Sequence, residues 1–348
     1  MQQVNYIIVG QGLSGTLLAH YLQEAGKSFH IFDDHHRGSS SHVAAGIINP
    51  VTGRRVVKSW MIDALIPFAK KTYQEIENKL DIKIFHERNI VRALFSKKEE
   101  DLWLEKTAHP SVEKYILEAD DLGEFQTKVE EGYAVGEIQQ TAQLEMPLML
   151  HTYRDYFLKQ KNISLEKFNH QEVAFKDDHV FYKNIKAEKI IFCEGHQGRF
   201  NPFFDKKGFE VAKGEVLLVK IPNANFQKIL KHKLFIVPLQ NDLYWVGSTY
   251  DWEIPNDQPT EEAKQLLIFK LKKILHVPFE IVDHQAAIRP TTFDRRPLIG
   301  LHPENKSLGM VNGMGTKGAS LGPYFTKMFV DFLLDNQPIL EAADIKRV

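Results

Sequence analysis

Residues 4–9 form an unbroken, mostly apolar run, the pattern of a strand covered on both faces within a parallel sheet. Gly10, Gly12 and Gly15 interrupt it. Leu18, Leu22 and Ala25 then recur at helical spacing until Gly26 marks a stop. A second apolar run, "SFHIF", ends at Asp33, so strand, helix and strand together occupy about thirty residues, the length of a βαβ unit. After Asp34 the regular pattern gives way to a polar, glycine-punctuated loop, "HHRGSSSHVAAGIINPVTGRR". Further along, "GEVLLVKI" and "YWVGSTYDW" read as β, and "TEEAKQLLIFKLKKIL" reads as an amphipathic helix capped by its threonine. A last helix is expected over residues 323–334, after another glycine-rich turn. The pattern as a whole is mixed α/β.

The first turn has the spacing G-x-G-x-x-G, and each glycine has a physical use. Gly10 permits the tight turn, Gly12 lets a pyrophosphate approach the main chain, and Gly15 lets the helix pack closely on the strand. The helix start offers free N–H groups and partial positive charge to phosphates. Asp33, eighteen residues beyond Gly15, is placed to accept hydrogen bonds from a ribose. Strand, turn, helix, second strand and terminal acid together make a dinucleotide site. A nicotinamide enzyme would continue through further βα units, whereas here small residues follow, where a broad planar ring can lie against the backbone.

From this loop onward the sequence resembles the D-amino-acid oxidase and glycine oxidase family of FAD-dependent oxidoreductases. The matching stretches include "NHQEVAF", "AEKIIFCEGHQG", "AKGEVLLV" and "FIVPLQNDLYWVGSTYDW". The C-terminal "AAIRPTTFDRRPLIGLHPENKSLGMVNGMGTKGASLGPYFTKMFVDFLL" follows the family order of Arg-Pro, Asp, Pro-x-x-Gly, strand, glycine turn and helix. The resemblance implies a Rossmann-like FAD domain from residues 1–85, 140–210 and 285–348. An interleaved, mostly antiparallel substrate domain would come from 86–139 and 211–284. It also implies dissociable FAD held by Gly10, Gly12, Leu13, Ser14, Gly15, Asp33 and Asp34. The next loop would add Ser40, Ser41, Ala45, Gly46 and Ile47. Val173 would lie at the adenine and Gly195 near the flavin, followed by Gly313, Met314, Gly315, Thr316, Lys317, Gly318, Ala319 and Ser320. The closest character within the family is that of glycine oxidase and of the FAD domain of the bifunctional tRNA wobble-uridine modification enzyme.

The implied reaction is oxidation of the C–N bond of a small amine or amino acid by hydride transfer to flavin N5. Water then hydrolyses the imine, and oxygen is the default acceptor, with another electron acceptor as the alternative. Arg289 is the leading substrate residue, because a guanidinium fork matches a carboxylate. A structural pair with Asp283 or Asp294 is its competing role. Where glycine oxidase has a second arginine, this chain has Thr316 and then Lys317, so lysine either assists with the carboxylate or marks a different substrate. Tyr250 and Tyr244 are candidate hydroxyl donors, though strand aromatics are commonly core. Arg54 and Arg55 are candidates for a distant anionic group or for a solvated face. Trp245 stands where related sarcosine oxidases carry a lysine thought to activate oxygen, which argues for a slower oxygen reaction.

Composition narrows the field. Forty-four lysines and arginines against forty-five acids leave a net charge of −1, without the overall positive field that draws proteins to nucleic acid or anionic membranes. That balance weighs against a tRNA-modifying oxidoreductase; a flavin-binding protein without turnover is the third reading. Fifteen histidines and the motif "DDHHR" raise the question of metal, but adjacent histidines lack helical zinc spacing, and none is expected. A single cysteine, Cys193, rules out an internal disulfide and is expected to be a small buried residue. No basic leader or spanning apolar stretch is evident, so a cytoplasmic protein is expected. The sequence leaves the oligomeric state open.

Overall fold

The computed structural model describes residues 1–36, 38–205, 208–253 and 256–348. The first strand, β1 (Gln2–Val9), leads into helix α1 (Leu13–Glu24) and strand β2 (Phe29–Phe32), with Gly26 at φ +68° after the helix. β1 lies between β2 and the strand Ile185–Phe192, parallel to both. Ile163–Ser164 joins β2 in parallel, and Leu308–Asn312 joins the far side of Ile185–Phe192. This parallel core is buried on both faces, as the apolar run of β1 requires. Antiparallel strands Leu298–Leu301, His179–Tyr182 and Ala174–Lys176 complete an eight-stranded sheet.

A second eight-stranded sheet runs in the order Glu280–Arg289, Ala212–Lys220, Leu243–Gly247, Phe235–Pro238, Ile229–Lys231, Ile90–Leu94, Ala134–Ile138 and Ile116–Ala119. Its pairings are antiparallel except that between Ile229–Lys231 and Ile90–Leu94. The helix Glu261–Lys272 covers one face, its Thr260 side chain capping the Ala263 N–H.

The loop after β2 is more structured than its composition suggests. It holds a short helix, α2 (Ser40–Val43), and the strand Ile47–Ile48, which pairs antiparallel with Ala142–Leu144, before helix α3 (Ile62–Leu80). Gly46 makes this entry possible. Its φ is +71°, and a Cβ there would sit 1.9 Å from the Leu144 carbonyl oxygen. Gly46→Ala is therefore expected to cost about 2–3 kcal/mol from strain and overpacking together, read as a lowered Tm of the protein.

The last helix also differs from expectation. It spans Gly318–Asp335 and so begins five residues before Pro323. Proline lacks the N–H that would bond the Ala319 carbonyl. The Tyr73 hydroxyl of α3 donates to that carbonyl instead, at 2.8 Å, and the helix continues through the proline.

Two buried histidines make the fold acid-sensitive. Burial lowers the pKa of His20 from 6.5 to about 4, and that of His232 to about 4 as well. The His20 ring nitrogen lies 2.8 Å from the Tyr153 hydroxyl, and the His232 ring stacks edge-on against Phe95. Because both folded values lie below the unfolded one, the unfolded chain takes up protons first as pH falls. The stabilisation is complete above about pH 6.5 and is lost progressively toward pH 4, by up to about 1.4 kcal/mol per pH unit for each ring. Denaturant titrations at pH 7, 6 and 5 should show the midpoint falling, and His20→Gln should flatten the slope. Among the described residues no helix is long and apolar enough to cross a membrane.

Candidate active site

At the carboxyl ends of the parallel strands, a cavity of about 840 Å³ runs from the β1–α1 turn to the second sheet. One end is built on bare main chain. Gly10 has φ +95°, and a Cβ on it would meet the Cys193 carbonyl oxygen at 2.6 Å. A Cβ on Gly15 would collide with the Gly10 carbonyl oxygen at 1.9 Å, so Gly15 lies beneath the turn and keeps α1 close to it. Gly12, Leu13 and Ser14 form the wall, and the Ser41 hydroxyl accepts the Leu13 N–H at 3.1 Å. Neither α1 nor the helix Gly318–Asp335 is capped by the side chain of its own N-cap residue, and neither has an acid in its first turn. Two positive helix ends without an acid in the first turn thus open into one cavity, a setting suited to a diphosphate and to an electron-accepting ring.

Asp33 sits at the end of β2. Its carboxylate accepts the Gln11 N–H at 2.7 Å and the His35 N–H at 2.8 Å, and it pairs with the Arg154 guanidinium. Arg154 is buried on the helix Met146–Lys159. Sequence reasoning missed it, although an arginine among the apolar positions Leu150, Tyr153 and Phe157 is itself a signal of a buried ionic partner. The pair fixes the carboxylate beside the glycine turn, where Asp34 also reaches the wall.

The structure gathers most of the remaining candidates along the same wall. Ser40, Ser41, Ala45, Gly46 and Ile47 line it from the α2 side, and Gly195 from the end of Ile185–Phe192. Met314, Gly315, Thr316, Lys317, Gly318, Ala319 and Ser320 line it from the last turn. Two candidates stand back from the wall. Val173 packs against the core behind β2, leaving Phe168 and His170 at the surface of the cavity. Gly313 turns at φ +74° against Thr292 and Leu298. Cys193 is buried, with its thiol pushed far up by desolvation and then by Glu194. No group of three or more metal-ligating side chains occurs among the described residues. Arg37 of the "DDHHR" motif lies outside those residues.

The far end of the cavity carries the substrate candidates. Arg289 ends the strand Glu280–Arg289 and fills the space that a side chain at Gly214 would take, since a Cβ there would lie 1.8 Å from its Nη2. The guanidinium donates to the Lys213 carbonyl at 3.0 Å, the Ser248 hydroxyl at 2.8 Å and the Thr249 carbonyl at 3.1 Å. Tyr250 places its ring 4.9 Å from the guanidinium carbon. All these partners are neutral. Asp294 is taken by Arg347, and Asp283 accepts from the His284 N–H and Gln285, so neither forms the structural pair considered for Arg289.

The other candidates separate clearly. Tyr250 lines the cavity and is half exposed, whereas Tyr244 is buried and its hydroxyl accepts the Phe226 N–H. Trp245 lines the wall and donates its indole N–H to the Val43 carbonyl at 2.7 Å. Arg54 and Arg55 are exposed, and the wall stops short of them at Thr52.

Comparison with known proteins agrees with this geometry. Residues 5–332 match the family model described as FAD dependent oxidoreductase. Glycine oxidase of Bacillus licheniformis is 25% identical over 353 residues, covering 95% of this chain and 93% of the relative. The fold is similar to the crystal structure of glycine oxidase from Geobacillus kaustophilus, with TM-score 0.80 and 18% identity over 97% of this chain and 96% of the other. It is likewise similar to iminodiacetate oxidase from Chelativorans, with TM-score 0.79 and 13% identity over 97% and 98% of the two chains. The glycine cradle, the two helix starts that open into the cavity and a family match over nearly the whole length lead to one conclusion: this chain belongs to the FAD-dependent oxidoreductase family, and it is an FAD enzyme.

Proposed function

We propose that the enzyme oxidises the C–N bond of a small amine that carries a carboxylate. The observation that supports this reading is Arg289, a largely buried cation on the cavity wall whose partners among the described residues are all neutral. A buried charge without a counter-ion is costly, and a ligand carboxylate relieves that cost while matching the planar fork.

Bound FAD supplies the two-electron acceptor. The protein's residues do the positioning. The carbonyls of Lys213 and Thr249, with the Ser248 hydroxyl, aim the guanidinium, and Tyr250 stacks beneath it. Val43, Val216 and Ala287 form an apolar cluster at the same wall and exclude water around the reacting carbon. Among the described residues no aspartate or glutamate pairs with Arg289, so none competes with the substrate carboxylate, and the cation disfavours the ammonium form of the substrate nitrogen. The substrate C–N unit loses two electrons and two protons, and water opens the resulting C=N bond to a carbonyl and an amine. Oxygen is the proposed final acceptor. Trp245, with no ammonium at its position, favours a modest rate of that last step.

The test is anaerobic mixing of FAD-loaded protein with glycine, sarcosine, proline, iminodiacetate and D-amino acids. Bleaching of the visible flavin band by at least one amine, with the colour returning in air, is expected. A flavin that stays oxidised throughout would reject amine oxidation and favour binding without turnover.

A further inference from the structure

The cavity holds a second cation without a counter-charge, on the turn whose Gly315 N–H donates to the carbonyl of Pro290, the residue after Arg289, at 3.2 Å. Lys317 lines the same wall, and its ammonium donates to the Ser59 hydroxyl at 3.1 Å; that hydroxyl in turn donates to the Asn49 carbonyl. No carboxylate pairs with Lys317 among the described residues. Burial, and then the positive charges of Arg296 and Arg295, lower its pKa below the ordinary lysine value, so the surroundings oppose its charge.

Arg289 and Lys317 are anchored separately. The first is tied to the second sheet through Lys213 and Thr249, and the second to the loop before α3 through Ser59. The acids that line the cavity are Asp33, Asp34 and Glu194, all near the carboxyl ends of the parallel strands. Asp33 is paired with Arg154, and Glu194 with His170. Two cations thus line one cavity, and among the described residues neither is paired with an acid. One carboxylate answers one of them.

We propose, building on amine oxidation as the reaction, that the substrate is an amine with two oxyanionic groups, one received by Arg289 and the other by Lys317. A lysine ammonium is a point charge with three donors, which suits a carboxylate or a phosphonate equally. A monoanionic amine leaves Lys317 uncompensated.

The discriminating pair is iminodiacetate and sarcosine, two secondary amines that differ by one carboxylate. The expected kcat/KM ratio is roughly tenfold or more in favour of iminodiacetate. Lys317→Met should bring the ratio close to one, and Lys317→Arg should keep most of it. A ratio near one in the natural enzyme, or one that survives Lys317→Met, would overturn the proposal. A Lys317→Met enzyme that loosened FAD while keeping the ratio would do the same, placing the lysine on the cofactor instead. Succinate and butyrate, which contain no C–N bond, separate this idea from the reaction itself. Tighter perturbation of the flavin spectrum by succinate supports the second anion site even if no amine is oxidised. Equal binding of the two removes it.

Discussion

Replacing Arg289 by lysine is expected to raise KM for a carboxylate-bearing amine by roughly a hundredfold, equivalent to about 3 kcal/mol, with a smaller effect on kcat. The guanidinium is held by three neutral acceptors, one on the neighbouring strand Ala212–Lys220 and two in the loop after Leu243–Gly247, and lysine cannot satisfy these and a carboxylate together. The shorter ammonium would also leave space beside Gly214, against which the guanidinium now rests. Steady-state kinetics on the best substrate, at matched FAD content, checks the effect. Unchanged KM would mean that Arg289 does no more than tie the edge of the second sheet to the 248–250 turn.

Asp33→Ala carries the second large effect, and it reaches beyond the cofactor. The carboxylate holds the Gln11 N–H at the tip of the glycine turn and neutralises buried Arg154. Removing one partner of a buried ion pair costs about 3–5 kcal/mol, because the other charge is left in a poorly solvating place. The variant should therefore purify largely colourless and melt lower than the FAD-free natural protein. Asp33→Ala combined with Arg154→Met should recover much of the stability without recovering FAD affinity. If the single variant loses FAD while the apoprotein Tm is unchanged, the carboxylate serves the nucleotide alone and Arg154 is not dependent on it.

These two residues also mark how far the sequence could be read. The β1–α1–β2 unit was legible because its information is local. An apolar run, three glycines and an acid lie within about thirty positions, and the physics of a tight turn ties them together. Ser41 and the 314–320 turn were placed through the family pattern and meet Gly12 at one wall. Arg154 was not legible, since its partner lies 121 positions away and nothing local distinguishes a helix arginine that faces inward. The start of the last helix was missed for a related reason. Pro323 looks like a first-turn residue unless one knows that a tyrosine from another helix accepts the role of its missing N–H. Arg54 and Arg55, adjacent and conspicuous in the sequence, remain on the solvent side, while the single Lys317 turns inward. Charge in a sequence does not reveal which cations lack an acid beside them; the three-dimensional lining does.

Amine oxidation as proposed requires one arrangement, a substrate carboxylate on Arg289 facing FAD within the one cavity. A crystal structure of the FAD-loaded protein soaked with methoxyacetate, an ether analogue of sarcosine that cannot form an imine, tests it most directly. Density for the carboxylate in bidentate contact with the Arg289 guanidinium, with the cofactor diphosphate against Gly10, Gly12 and Ser14, is the expected result. A cofactor bound elsewhere, or the analogue seated away from an Arg289 still tied only to Lys213, Ser248 and Thr249, would contradict the account.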